Sequence, residues 1–345
     1  MVGAAVPVSI LDVVPLGPGM SPASAVAATL QVSRFAEAAG YHRVWLAEHH
    51  AAPYNACSQP ALLISLVAAG TTTIRVGSGG VMLPNHTPLS VAEQFHTLVA
   101  MHGDRIDLGL GRAGGSDPRT LAALGRRPGA ETDDGFTADL VELIGFLSGR
   151  WPADHPSKDI RVSPYGDPPP VFLLGSSVRS ACRAGQLGLD FAYATHLAPQ
   201  AASQAADGYR AAGVQAGHSR PGRLILTAGV ICAGTSSAAH QAALRSGLVR
   251  LRGADARAEG RTAGPAELLD PRSTEAERDR VLGSYAEAGF LIGDAERVSA
   301  ALAELVGSTG ADEVMLLSPE FEAADRIRTL DGVATGLVQR SLVTA

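Results

Sequence analysis

Short apolar runs alternate with longer amphipathic stretches along most of this chain. The runs lie at residues 7–12, 43–48, 74–83, 105–111, 171–174, 190–195, 223–232 and 313–317, and most are dominated by Val, Ile, Leu, Phe and Ala. Near-continuous apolar runs of this length predict strands buried on both faces. Between them, helical spacing predicts helices over 24–39 (stopped by Gly40), 60–69 (opened by Ser58 and Pro60), 88–102, 177–187, 200–212 and 236–251, with a final amphipathic helix after 317. Pro88 stands at a helix start, where its missing N–H costs nothing. Eight strand–helix units in order predict an α/β chain closed into a (β/α)8 TIM barrel. The rival is an open doubly wound sheet, which would carry G-x-G-x-x-G after its first strand. That loop reads Val14-Pro15-Leu16-Gly17-Pro18-Gly19, without a third glycine at the required spacing.

Two stretches break the rhythm. Residues 113–170 hold a short helical pattern near Arg119, a longer one over 132–147 and a Pro-rich segment over 163–170. This reads as an insertion on the active face of a single domain covering residues 1–345. Residues 252–280 mix Gly, Pro and charges, a composition that predicts one long mobile loop, of the kind that forms a lid.

Composition narrows the class. The chain has 345 residues, 46% of them hydrophobic, with 39 Gly and 21 Pro, which suits one large domain rich in short loops. Net charge is −6 with both signs interspersed, and Lys158 is the sole lysine. No basic block or aromatic–basic stripe points to nucleic acid. Cys57, Cys182 and Cys232 are odd in number and far apart, with no C-x-x-C. A disulfide framework or a zinc site is therefore not expected. Residues 1–10 lack a basic segment followed by an apolar core, and no apolar run reaches the ~18 residues of a membrane span. The expected location is the cytoplasm.

Candidate chemistry gathers at predicted strand ends, where a parallel barrel carries its active site. The second strand ends in Glu48-His49-His50, an acid beside two side chains that titrate near neutrality. A surface turn would read the same way. The third strand contains Gly77, Gly79 and Gly80; glycines inside a strand mark either close backbone packing or the approach of a ligand. The fourth ends at Gly111-Arg112, placing a planar cation on the rim. Arg112 suits a phosphate or an ion pair with a loop carboxylate. The fifth runs into Gly175-Ser176-Ser177-Val178-Arg179-Ser180. That turn is either a Ser helix cap or an anion site of hydroxyls and unpaired helix-start amides. It lacks the G-x-x-x-x-G-K of a P-loop.

With these stretches together, the chain resembles the bacterial luciferase-like flavin-dependent monooxygenases. The resemblance rests on residues 44–50, 76–84, Gly111-Arg112, Gly175-Ser176-Ser177 and Phe191-Ala192-Tyr193-Ala194-Thr195-His196. It implies reduced flavin mononucleotide (FMNH2) at the barrel mouth. The phosphate would meet Arg112, Ser176, Ser177 and Ser180, near Gly175. The ring would lie over Gly79 and Gly80, where the family has a strand bulge with a non-prolyl cis peptide. It implies a two-component monooxygenase: a separate reductase supplies FMNH2, O2 forms a C4a-(hydro)peroxide, and one oxygen passes to a small organic substrate, of a kind found in secondary metabolism. His49 matches the family's active-site histidine, with Glu48 as its expected orienter and His50 and His196 as further candidates. Gly111 stands where some luciferases have a reactive cysteine, and Ser176 where the family has a glutamate, so light emission is not implied. A deazaflavin-dependent hydride-transfer oxidoreductase and a flavin-binding protein without turnover are the alternatives. A deazaflavin's longer acidic tail would favour more basic residues at the mouth, and Arg112, Arg126 and Arg127 are too few to decide between the two cofactors. Homodimer formation through the helices after the second and third strands is expected, because residues 61–69 are apolar nearly all round.

Overall fold

The computed structural model describes residues 6–112, 117–126, 129–130, 132–151, 153–219 and 222–343. Ten strands form: β1 (Val8–Asp12), β2 (Arg43–Leu46), β3 (Arg75–Ser78), β4 (Val81–Met82), β5 (Ile106–Gly111), β6 (Val171–Gly175), β7 (Asp190–Ala194), β8 (Leu224–Cys232), β9 (Leu291–Gly293) and β10 (Glu313–Leu317). Every pairing between them is parallel. The order β1-β2-β3-β5-β6-β7-β8 is closed by β10, which pairs with both β8 and β1. Eight strands with helices outside them thus make the expected (β/α)8 barrel.

The third expected strand is interrupted. β3 stops at Ser78, the Gly79–Gly80 peptide is cis, and β4 resumes alongside β5 before a single 3-10 turn at Leu83–Asn85. The expected cis peptide is therefore present. β9 was not expected; it lengthens the sheet beside the carboxyl end of β8 through Val230, Ile231 and Cys232.

The stretch 252–280 is not one loop. The helix Ser236–Ala258 runs beyond the expected end at 251, and Pro265–Leu268 and Glu275–Glu287 follow as helices. Thr274 and Glu277 form a reciprocal capping box that opens the last of these. Its polar sequence hides two apolar anchors, Val281 and Tyr285, which pack with Leu244, Leu248 and Ile231 in a satellite core. Tertiary burial of a few residues overrides a loop-like composition. In the insertion, Pro118–Ala123 and Asp133–Ser148 are helical, close to expectation, and the latter packs on Pro88–His102. Among the described residues no helix is long and apolar enough to cross a membrane.

Alternation along each strand layers the barrel interior. At the amino end, Arg43 is held between Asp107 (2.6 Å) and Glu313 (2.8 Å), and Arg75 takes the other Asp107 oxygen at 2.6 Å. Above this lie Leu11, Trp45, Phe172, Ile225 and Met315. Trp45 meets Phe172 edge-on at 4.8 Å, and the guanidiniums of Arg43 and Arg223 approach the Phe172 ring at 5.2 and 4.9 Å. Two residues further along, many of the inward positions are small, among them Ala47, Gly79, Gly111, Ala194 and Thr227, while Val13 and Leu174 remain as wall. Bulk closes the barrel below, and its loss opens a cavity at the carboxyl end.

Candidate active site

The cavity encloses about 290 Å³. Glu48, His49, Gly79, Arg112, Gly175, Ser176, Ser177, Ser180 and His196 all line it, so nine residues singled out in the sequence converge on one mouth. Gly80 and His50 do not line it. Leu11, Val13, Leu174, Ala192 and Leu197 supply apolar wall.

β2 delivers the acid and the imidazoles. Its last backbone bonds run past Leu46: the His49 amide donates to the Cys57 carbonyl at 2.8 Å, and the Glu48 amide to the Gly80 carbonyl at 3.2 Å. Glu48 is buried, and its carboxylate is a hub. It accepts from the Met82 amide (2.9 Å) and Asn85 (3.1 Å), and meets His50 Nε2 (2.8 Å) and His86 Nε2 (2.9 Å). Burial pushes the Glu48 carboxyl up, but His86, Met82 and Asn85 outweigh it and hold it below the usual carboxylate range. The expected link between Glu48 and His49 is not formed: adjacent side chains diverge, and the carboxylate turns to His50 and His86. His86 and Asn85 escaped the sequence reading; both stand directly after the glycine-rich strand, and that position was the available signal.

His49 differs from its neighbour. Burial lowers its pKa. Its Nδ1 is buried without a hydrogen-bond partner of acceptable geometry, although the Ala47 carbonyl is near enough to favour the proton. His196 is alike: burial depresses it, Nδ1 lacks a partner, and the Thr227 carbonyl is its polar neighbour. The cavity therefore carries two neutral imidazoles with spare hydrogen-bonding capacity.

The glycines answer to packing. A Cβ on Gly79 would lie 2.5 Å from Leu11 Cδ1, and one on Gly80 would lie 2.8 Å from the Gly109 carbonyl oxygen of β5. Gly80 is thus required by the neighbouring strand, and Gly79 alone borders the cavity. Gly175 is constrained as well, since a Cβ there would strike the Ser180 side chain.

The serine turn is a helix cap and also faces the cavity. Ser177 Oγ accepts from the Ser180 amide at 3.2 Å, while Ser180 Oγ donates to the Ser177 carbonyl at 2.7 Å. Ser180 is thereby engaged within the turn, whereas the Ser176 hydroxyl has no hydrogen-bond partner among the described residues. Arg112 emerges at the end of β5 and pairs with Asp133, the first residue of the helix Asp133–Ser148. Arg126 donates to the Arg112 carbonyl at 3.3 Å. Arg127 and residues 113–116 lie outside the described residues.

Donors of this kind fit a flavin mononucleotide. A guanidinium, two serines and the start of the helix Val178–Leu187 are donors that suit an anion. The apolar wall suits a flat ring, and the two orphaned imidazole nitrogens suit its polar edge or a substrate. Comparison with known proteins decides the family: the profile of luciferase-like monooxygenases matches residues 6–313. The chain belongs to the luciferase-like monooxygenase family. It is an oxidoreductase. A luciferase-like monooxygenase of Escherichia coli (strain K12) is 38% identical over 326 residues, spanning 94% of each chain. The solved structure of apo-MsnO8 matches this luciferase-like monooxygenase with a TM-score of 0.81 at 34% identity, over 96% of this chain and 98% of the other. The oxygenating constituent of 3,6-diketocamphane monooxygenase from Pseudomonas putida, solved in complex with FMN, has a TM-score of 0.75 over 98% and 99% of the two chains. At 19% identity that likeness concerns the fold.

Proposed function

We propose that this luciferase-like monooxygenase is the oxygenating half of a two-component system. It takes FMNH2 from a separate flavin reductase and uses O2 to oxygenate a small organic substrate, as expected in the cytoplasm. The observation that carries the reading is the convergence, in one largely apolar barrel mouth, of a single phosphate-type donor set and two buried neutral imidazoles. One phosphate site, with no dinucleotide glycine fingerprint, supports FMN over the dinucleotide.

Arg112, Ser176 and Ser177 would hold the phosphate, and the wall around Leu11, Val13 and Leu174 would face the ring. Bound reduced flavin supplies the electrons that activate O2. The chain supplies position, exclusion of water and proton control. His49, neutral at pH 7 and able to accept or share a proton at a ring nitrogen, is assigned that role, with His196 on the opposite wall as second candidate. Glu48 acts on the site indirectly, by fixing His50 and His86.

Anaerobic titration tests this. Wild type binds FMNH2 more tightly than reduced FAD, and Arg112→Ala weakens FMNH2 by roughly 1.5–3 kcal/mol, the scale of hydrogen bonds to charged groups. Equal affinities of wild type and variant sink the phosphate assignment. Tighter binding of a reduced deazaflavin, with hydride transfer and no O2 consumption, replaces the reading by the hydride-transfer alternative.

A further inference from the structure

One charged cluster beside the cavity has no part in the reading so far. Asp133 opens the helix Asp133–Ser148 and receives three guanidiniums. Arg112 takes Oδ1, while Arg179 Nη1 (2.9 Å) and Arg183 Nη2 (3.3 Å) take Oδ2. These groups arrive from three separate places: the end of β5, the 113–170 insertion, and the first two turns of the helix that follows the serine turn. Arg112 lines both the cavity and a small cleft behind it, whereas Asp133, Arg179 and Arg183 line the cleft only. The carboxylate therefore grips Arg112 from behind, through Nη1, on the side away from the cavity.

We infer that Asp133 is a positioning residue that holds Arg112 at the phosphate end of the cavity, its own charge offset by Arg179 and Arg183, and so sets the preference for phosphorylated over phosphate-free flavin. The inference rests on the flavin reading above. Among the described residues, three guanidinium charges face one carboxylate charge, so the pairing leaves this part of the rim cationic. A phosphate monoester carries about −1.5 to −2 at pH 7 and is drawn to a cationic rim. Arg112 and Arg179 are 43% and 76% exposed in their side chains. Without the carboxylate such side chains would spread over many rotamers, and ordering them would fall on the binding step. Simple Coulomb attraction makes the opposite prediction: deleting a negative charge near the site should tighten an anion. The sign of the effect therefore separates positioning from competition.

Reduced FMN and reduced riboflavin are titrated anaerobically into wild type, Asp133→Ala and Asp133→Glu, with thermal midpoints on the same preparations. Inorganic phosphate is the competitor. Positioning predicts that Asp133→Ala binds reduced FMN at least tenfold more weakly, keeps riboflavin within about twofold, and needs correspondingly more phosphate to compete. Asp133→Glu regains part of the loss. Unchanged or tighter FMN binding in Asp133→Ala overturns the inference, and so does an equal loss for both flavins, which marks a structural role. A wild type that prefers FMN while Asp133→Ala behaves identically overturns the inference alone. A wild type that binds neither flavin overturns it together with the flavin reading.

Discussion

His49 and His50 are neighbours in sequence, yet their imidazoles have different duties. His50 is tied to the Glu48 carboxylate, whereas His49 borders the cavity with an unpartnered nitrogen. His49→Ala is expected to keep its affinity for reduced flavin, to lose substrate oxygenation by about 10²–10⁴-fold, the range for general acid–base catalysis, and to release more hydrogen peroxide. A variant with a normal thermal midpoint and full coupling of flavin oxidation to product would remove His49 from the mechanism. Glu320 offers a pH test of another kind. It is buried after β10, receives hydrogen bonds from Thr329 (2.7 Å) and Ser318 (3.1 Å), and is pushed up to about 7 by burial. Its folded pKa exceeds the unfolded value of 4.5. Stability linked to it is therefore full below pH 4.5 and declines as pH rises through 7. Glu320→Gln keeps an acceptor for both hydroxyls. It should stabilise the protein by on the order of 1–3 kcal/mol at pH 8 and change little at pH 4.5; urea melts at the two pH values measure the difference.

At the scale of elements, β2, β3, β5 and β10 are locked together by charge at the closed end of the barrel. Asp107 accepts from Arg43, Arg75 and the Trp45 indole, and Arg43 also spans to Glu313. Arg43 is fully buried. Asp107→Ala strands two guanidiniums, one of them out of reach of water, and is expected to cost about 3–5 kcal/mol. A loss below 1 kcal/mol in chemical denaturation would show that Glu313 and solvent suffice for them. These charges were invisible as a network in the sequence, because all four lie on strands read only as apolar runs and the partners are up to 270 positions apart. Periodicity located strands and most helices. It failed where glycine packing broke the third strand, and again at 252–280, where sparse apolar anchors hold real helices.

For the whole molecule, the barrel leaves apolar side chains uncovered on two neighbouring helices. On the helix Pro60–Ala69, Ile64 and Val67 point into the core, while Leu62 and Leu66, one turn apart, are 71% and 40% exposed; Met101 on Pro88–His102 is 60% exposed. Large apolar side chains exposed on neighbouring helices are a liability unless a partner covers them. We propose a homodimer through this face. Sedimentation should give a dimer at micromolar concentration, shifted toward monomer by Leu62→Glu with Leu66→Glu. A wild type that sediments as a monomer would leave the face unexplained.

The sequence by itself determined the barrel, the order of its units and the rim on which chemistry gathers. Alternating burial and helical period are local properties, and a parallel strand must end at the face where its loop begins. Residues 44–50, 76–84, 111–112 and 175–180 were legible for the same reason, each being a strand end with its own short pattern. Only the tertiary structure decided which of these side chains share the cavity. It turned Glu48 to His86 instead of His49, gave Gly80 to the neighbouring strand, and set Asp133 behind Arg112. Each choice depends on which atoms meet across elements distant in the chain, and packing between elements has no period to read.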